Sequence, residues 1–143
     1  MNSLHHHSKS ETEIDALLRR HGIHPTVQRV IIARLVFEKC THLSAEDVFR
    51  LVNADKRRVS KATVYNTLGL LAEKGVIREV IADPTRIFYD PNTGDHHHFY
   101  DVVTGKITDI DAENIELQGL PPLPPGKVAE GIDIVVRIRP EGE

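Results

Sequence analysis

Lys56-Arg57-Arg58-Val59-Ser60-Lys61-Ala62-Thr63-Val64-Tyr65-Asn66-Thr67 is the stretch on which the fold turns. Four of its first six residues are cationic, and Ser60 then supplies the hydroxyl that the free amides of a helix start require. Val64, Leu68 and Leu71 recur behind it at helical spacing, and Gly75 offers a left-handed stop. A helix begins at Lys61, with a basic flank before it and with Thr63, Tyr65 and Asn66 off its apolar stripe.

Upstream, three further helices are legible. Ser10-Glu11-Thr12-Glu13 is a capping box, Ile14, Leu17, Leu18 and His21 follow it as one stripe, and Gly22 ends the segment. Pro25-Thr26 opens a second helix whose apolar face is expected to hold Val27, Val30, Ile31 and Leu35, with Gln28, Arg29 and Arg34 outside it. Ser44 caps a third, expected to bury Val48, Leu51 and Val52. Downstream the period changes to two. Residues 77–81 and 86–89 form a hairpin across Ala82-Asp83-Pro84-Thr85, whose proline suits a turn. Helices followed by a hairpin are the order of a winged helix-turn-helix. Within it, Thr63 and Tyr65 offer a methyl and a ring to thymine, Asn66 suits adenine, and Lys61, Arg57 and Arg58 suit phosphates.

Pro91-Asn92-Thr93-Gly94 is a run of helix and strand breakers, read as a hinge. Beyond it, residues 96–103 and 106–110 form paired strands across Thr104-Gly105, and residues 111–118 are expected to make about two turns of helix. Pro121-Pro122-Leu123-Pro124-Pro125-Gly126 is an extended connector. Residues 132–139 close the chain with the clearest alternation in it: Ile132, Ile134, Val136 and Ile138 against Asp133, Arg137 and Arg139. The expected class is α+β. A tag-like, disordered N-terminus (1–9) precedes a winged-helix domain (10–90), a hinge (91–95) and a small α/β dimerisation and sensor domain (96–143).

Composition bounds the function. The formal charge of −3 conceals 14 Lys/Arg against 11 Asp/Glu in residues 1–90, and 4 against 10 thereafter. Only the first part has the sign a polyanion attracts. No apolar run approaches the roughly 18 residues of a membrane span, and no signal peptide opens the chain, so a cytoplasmic location is expected. The single cysteine, Cys40, excludes an internal disulfide and any Cys-x-x-Cys metal clip, and it reads as a small buried hydrophobe. His5, His6 and His7 are set aside as tag-like. Strands and one short helix in about 50 residues bury little surface alone, so a second copy is expected to pair with the C-terminal module.

Asp95-His96-His97-His98 is the remaining chemistry-bearing run. On a strand His96 and His98 share one face and His97 takes the other, so the run can serve two sites. Thr26-x-x-Arg29, His42-Leu43-Ser44-Ala45-Glu46-Asp47-Val48, Ala62-Thr63-Val64-Tyr65, and His96-x-His98 ahead of Gly105-Lys106 together resemble the ferric uptake regulator family of bacterial repressors. The match runs from about Glu13 to Arg139. It implies a homodimeric, metal- or ligand-responsive regulator that binds palindromic double-stranded operator DNA, with Arg29, Tyr65 and Asn66 at the DNA surface. It also implies a regulatory metal site at His42, Tyr89, His96 and His98, where Tyr89 stands in place of a carboxylate and Asp90 is the adjacent substitute. Three imidazoles and an oxygen suit Fe(II), Mn(II) or Zn(II).

By the same resemblance a second, carboxylate-rich metal site falls at Asp95, His97 and Glu116, with Asp133. The family's structural zinc on four cysteines is absent, Asp101 and Thr104 standing at one of its cysteine pairs. The lost cysteines, the triple histidine, the Leu-Pro-rich connector and the Ile-Asp-Ile-Val-Val-Arg-Ile-Arg ending look like the iron response regulator branch, which implies sensing through haem at the triple histidine. The expected function is therefore a metal- or haem-responsive repressor of iron or oxidative-stress genes. The alternatives are a peroxide-, manganese- or zinc-responsive member, or a constitutive DNA-binding protein with a degenerate sensor. A zinc hydrolase is the rival from the enzyme class, and against it no glutamate is placed as a general base.

Overall fold

The computed structural model describes residues 9–39 and 41–142, so the expectations for His5, His6, His7 and Cys40 lie outside the described residues. The chain forms two compact units, Met1–Thr93 and Gly94–Glu143. No helix among the described residues is long and apolar enough to cross a membrane.

In the first unit the Ser10 hydroxyl accepts from the Glu13 amide at 3.1 Å, and the Glu13 carboxylate accepts from the Ser10 amide at 2.7 Å. This reciprocal cap opens helix α1, Glu11–Arg20, which buries Ile14 and Leu18. Helix α2, Val27–Lys39, buries Val30, Ile32, Ala33 and Val36. Its buried face is therefore rotated from the expected one: Val27 is 76% exposed, and Ile31 and Leu35 are only half-buried. Val30-Ile31-Ile32-Ala33 is apolar without a break, so spacing alone leaves the phase of the helix unset.

A two-residue strand β1, Leu43–Ser44, leads directly into helix α3, Ala45–Val52, which Ser44 caps. Helix α4, Lys61–Glu73, is capped by Ser60 and buries Val64, Thr67, Leu68 and Leu71. Gly75, at φ 81°, then turns the chain into the hairpin. Strand β2, Arg78–Asp83, starts one residue later and ends two residues later than expected, and β3, Arg86–Asp90, ends one residue later. β3 is the middle strand, flanked by β1 and β2. One apolar cluster from Ile14 to Tyr89 packs the helices against the base of this sheet.

In the second unit β4, His96–Asp101, is central, antiparallel to β5, Ile107–Asp111, and parallel to β6, Val135–Ile138. Two expectations fail here. Only a single 3-10 turn, Ala112–Asn114, stands where two turns of helix were expected, because β5 extends to Asp111 and takes the first residue of that segment into the sheet. The last strand is half the expected length, since the Ile134 amide donates to the His97 ring instead of to the ladder. Ile132, Val136 and Ile138 are exposed.

Candidate functional site: a histidine and carboxylate donor set and a basic helix face

Within the first unit, Leu43 pairs with Tyr89 across β1 and β3. Antiparallel pairing sets the preceding residue, His42, opposite the following one, Asp90. His42 Nε2 accordingly lies 3.0 Å from Asp90 Oδ2, and both side chains are largely buried. Tyr89 takes the other side of the strand. It joins the hydrophobic core, where burial pushes its hydroxyl pKa above the ordinary value. The oxygen donor beside His42 is thus Asp90 rather than Tyr89, a choice made by register and legible only once the two-residue β1 is known.

Within the second unit, His96, His98 and Tyr100 are the buried side chains of β4. His98, 1% exposed, pairs across the hairpin with Asp109, and its Nε2 is 3.5 Å from Asp109 Oδ1. His96 Nε2 lies 3.6 Å from the same oxygen. The two imidazole rings meet edge to face with centroids 4.6 Å apart. A carbonyl only accepts, so the 2.7 Å contact between His96 Nδ1 and the Gly94 carbonyl puts the ring proton on Nδ1. Nε2 is thereby turned to the side of the Asp109 carboxylate. Two electron-pair donors turned toward one another, with a backbone carbonyl fixing the tautomer, are the arrangement of a metal ligand and its orienting partner. The donor chemistry fits a divalent ion of the zinc, iron or manganese type. Asp109 was missed from the sequence. Its signal is that it shares a face with buried Ile107, and it becomes readable when the β4–β5 turn sets its register against His98.

The second expected set is not gathered. Among the described residues, the side chains grouped closely enough to hold an ion include none of Asp95, His97, Glu116 and Asp133. His97 Nδ1 accepts from the Ile134 amide at 3.1 Å, and Glu116 accepts from the Gln118 amide at 2.8 Å.

The expected DNA-reading residues lie on the first unit. Tyr65, 44% exposed, and Asn66 stand on the outer face of α4 with Lys61. Thr63 is half-buried, and its hydroxyl accepts from Ser60. Arg29 donates to the His24 carbonyl at 3.0 Å. Arg57 and Arg58 are exposed in the loop before α4, which is pinned by a residue the sequence did not flag: the Asn53 side chain binds the backbone of Arg58 and Val59. Glu46, inside the quoted motif but assigned no role there, accepts from Tyr65 Oη at 2.8 Å and from Lys61 Nζ at 3.0 Å. These contacts, Tyr65 first, hold the Glu46 carboxyl below its ordinary pKa, and the same carboxylate raises those of Tyr65 and Lys61.

Fold and site together define an α+β winged helix-turn-helix protein with imidazole and carboxylate donors in each of its two units. The model of the ferric uptake regulator family matches residues 20–120. The chain belongs to that family, which is one of regulators and not of enzymes. It is 33% identical over 95 residues to the peroxide-responsive repressor PerR of Staphylococcus aureus, an alignment covering 66% of this chain and 64% of that one. The chain thus spans a little under two thirds of the length of that relative. The ferric uptake regulator of Pseudomonas aeruginosa with manganese shares the fold at a TM-score of 0.67, with 23% identity over 89% of this chain and 97% of that one. That of Francisella tularensis with iron does so at 0.66, with 20% identity over 84% and 93%.

Proposed function

We propose that the chain is a divalent-metal-responsive transcriptional repressor that binds operator DNA as a homodimer. The observation that carries this reading is the donor chemistry. His42 and Asp90 in one unit, and His96 and His98 in the other, are buried or half-buried donors on or beside strands that fix their direction, and exposed Asp109 stands across the ladder from His98. Only Pro91, Asn92 and Thr93 separate Asp90 from the second unit, and the two donor groups are taken, following the family resemblance, as ligands of one ion. Bound there, an ion would supply a cross-link between the units. The chain's own residues do the rest: Gly94 holds the His96 tautomer, β1 holds His42 to the wing, and α4 presents Tyr65 and Asn66 to base edges. A fixed angle between the units would set the separation of two α4 helices in a dimer, and so their match to successive major grooves.

A peroxide-responsive member is the second reading, favoured by the similarity to a repressor of that name. The iron response regulator branch, with haem at the triple histidine, remains the finer alternative. Against it, His96 and His98 are deeply buried, and the ring of the more accessible His97 is engaged by the Ile134 amide.

The test is binding to duplexes selected from a random library by protein lacking residues 1–8, so that His5, His6 and His7 contribute no metal. Chelator-treated protein is compared with Mn(II)-, Fe(II)-, Zn(II)- and haem-treated protein, with elemental analysis of each sample. One divalent ion is expected to raise affinity by about tenfold, the usual scale of coupling between two sites, and His96→Ala with His98→Ala is expected to abolish that response. A double variant that responds like the parent overturns the proposal, and a response to haem alone moves the assignment to the alternative.

A further inference from the structure

Glu46 stands among residues that the proposed reading places against a polyanion, and a carboxylate there opposes phosphate binding. It lies in the first turn of α3, yet it reaches across to α4 and takes two of that helix's functional groups at once. The Tyr65 hydroxyl has one proton, and it is donated to Glu46 at 2.8 Å. Held so, Tyr65 has no donor left for a phosphate oxygen and offers DNA its ring and its oxygen lone pairs. The Lys61 ammonium, 3.0 Å from the same carboxylate oxygen, is drawn toward Glu46 and has part of its charge offset there. Both effects weaken sequence-independent attraction and leave base-directed contacts in place.

We infer that Glu46 is a specificity-determining positioning residue: it withholds Lys61 from phosphates and aims the Tyr65 ring at base edges, so that affinity is sacrificed for discrimination. The inference rests on the DNA-binding reading given above. It assigns the role to the Glu46–Tyr65–Lys61 contacts, not to the start of the helix.

The measurement is fluorescence anisotropy of the full chain with Mn(II), across a salt series, on two duplexes of equal length. One is random in sequence and one is selected by the parent protein. Glu46→Gln keeps the size of the side chain, and Glu46 is exposed, so folding is expected to persist; matching thermal midpoints check it. Releasing Lys61 to one more phosphate should steepen the salt slope on random duplex by about 0.9 and tighten binding roughly eightfold at about 0.1 M salt. The ratio of selected to random affinity should fall by about tenfold, the scale of one good base contact. Adding Lys61→Ala to Glu46→Gln should return the slope to the parent value, a reversal that a merely structural role would not give. Glu46→Asp, which keeps the charge but is one methylene shorter, should keep the parent slope and lose discrimination. An unchanged slope and ratio in Glu46→Gln, beside a parent that discriminates, overturns the inference alone. A selection in which the parent enriches no duplex overturns the DNA-binding reading and the inference with it.

Discussion

One amide side chain, that of Asn53, holds the basic loop in place. It donates to the carbonyls of Phe49 at 2.9 Å and Val59 at 3.0 Å, and accepts from the amides of Arg58 at 2.7 Å and Val59 at 3.0 Å. Cutting it back strands backbone groups that are partly shielded from water, so Asn53→Ala should lower stability by about 2 to 3 kcal/mol, read by chemical denaturation. DNA affinity should fall as well, because Arg57 and Arg58 lose a fixed backbone. At this scale the histidines were legible and their carboxylates less so. His96 and His98 follow from a period of two, whereas Asp90 and Asp109 are chosen by which residue lies across the ladder. Pairing between strands is not written in the spacing along either one.

Capping made the helices legible as elements. Ser10, Ser44 and Ser60 each mark a start, because a hydroxyl placed before an apolar stripe meets the orphan amides that every helix start exposes. Helix α2 shows the limit of that signal. Its four consecutive apolar residues fit several faces equally well, and only packing against the other helices selects Val30, Ile32, Ala33 and Val36. Ile32→Ala should therefore cost about 3 kcal/mol, as cavities in cores do. Val27→Ala, at an exposed position of the same helix, should stay within about 0.5 kcal/mol. Thermal melts of the two variants separate the observed face from the expected one, on which Val27 would be the costly site. The missing helix after β5 has a related cause: residues 111–118 carry a helical spacing too short to compete once Asp111 is drawn into the sheet.

For the whole molecule, the two units differ in how much they bury. The first has a continuous apolar cluster, whereas among the described residues of the second only Tyr100 and Ile107 are buried hydrophobics. Phe99 and Val136, paired across β4 and β6, lie exposed with Ile138. An apolar sheet face left open in one chain is what a second copy would cover on the proposed reading. Val136→Asp should then convert the dimer to monomer at micromolar concentration in sedimentation equilibrium. If the parent is already monomeric there, the homodimer reading fails. Both the winged helix and the paired strands beyond the breakers were legible in the sequence. The exposure of the last strand was not, because alternation reports that one face is apolar and says nothing of whether its cover comes from the same chain.

Five consecutive residues, His42 to Glu46, hold a proposed ligand, a strand, a helix cap and the carboxylate that grips Tyr65. Such overlap limits modularity. Grafting the C-terminal unit of another regulator onto this winged helix would import three donors but leave His42 and Asp90 behind, so effector preference would not travel with the transplanted part. Conversely, a sequence drift that altered the response through His42 would act one residue from the β1–β3 pairing and four from Glu46. On the reading given above, sensing and reading in this chain would have to evolve together.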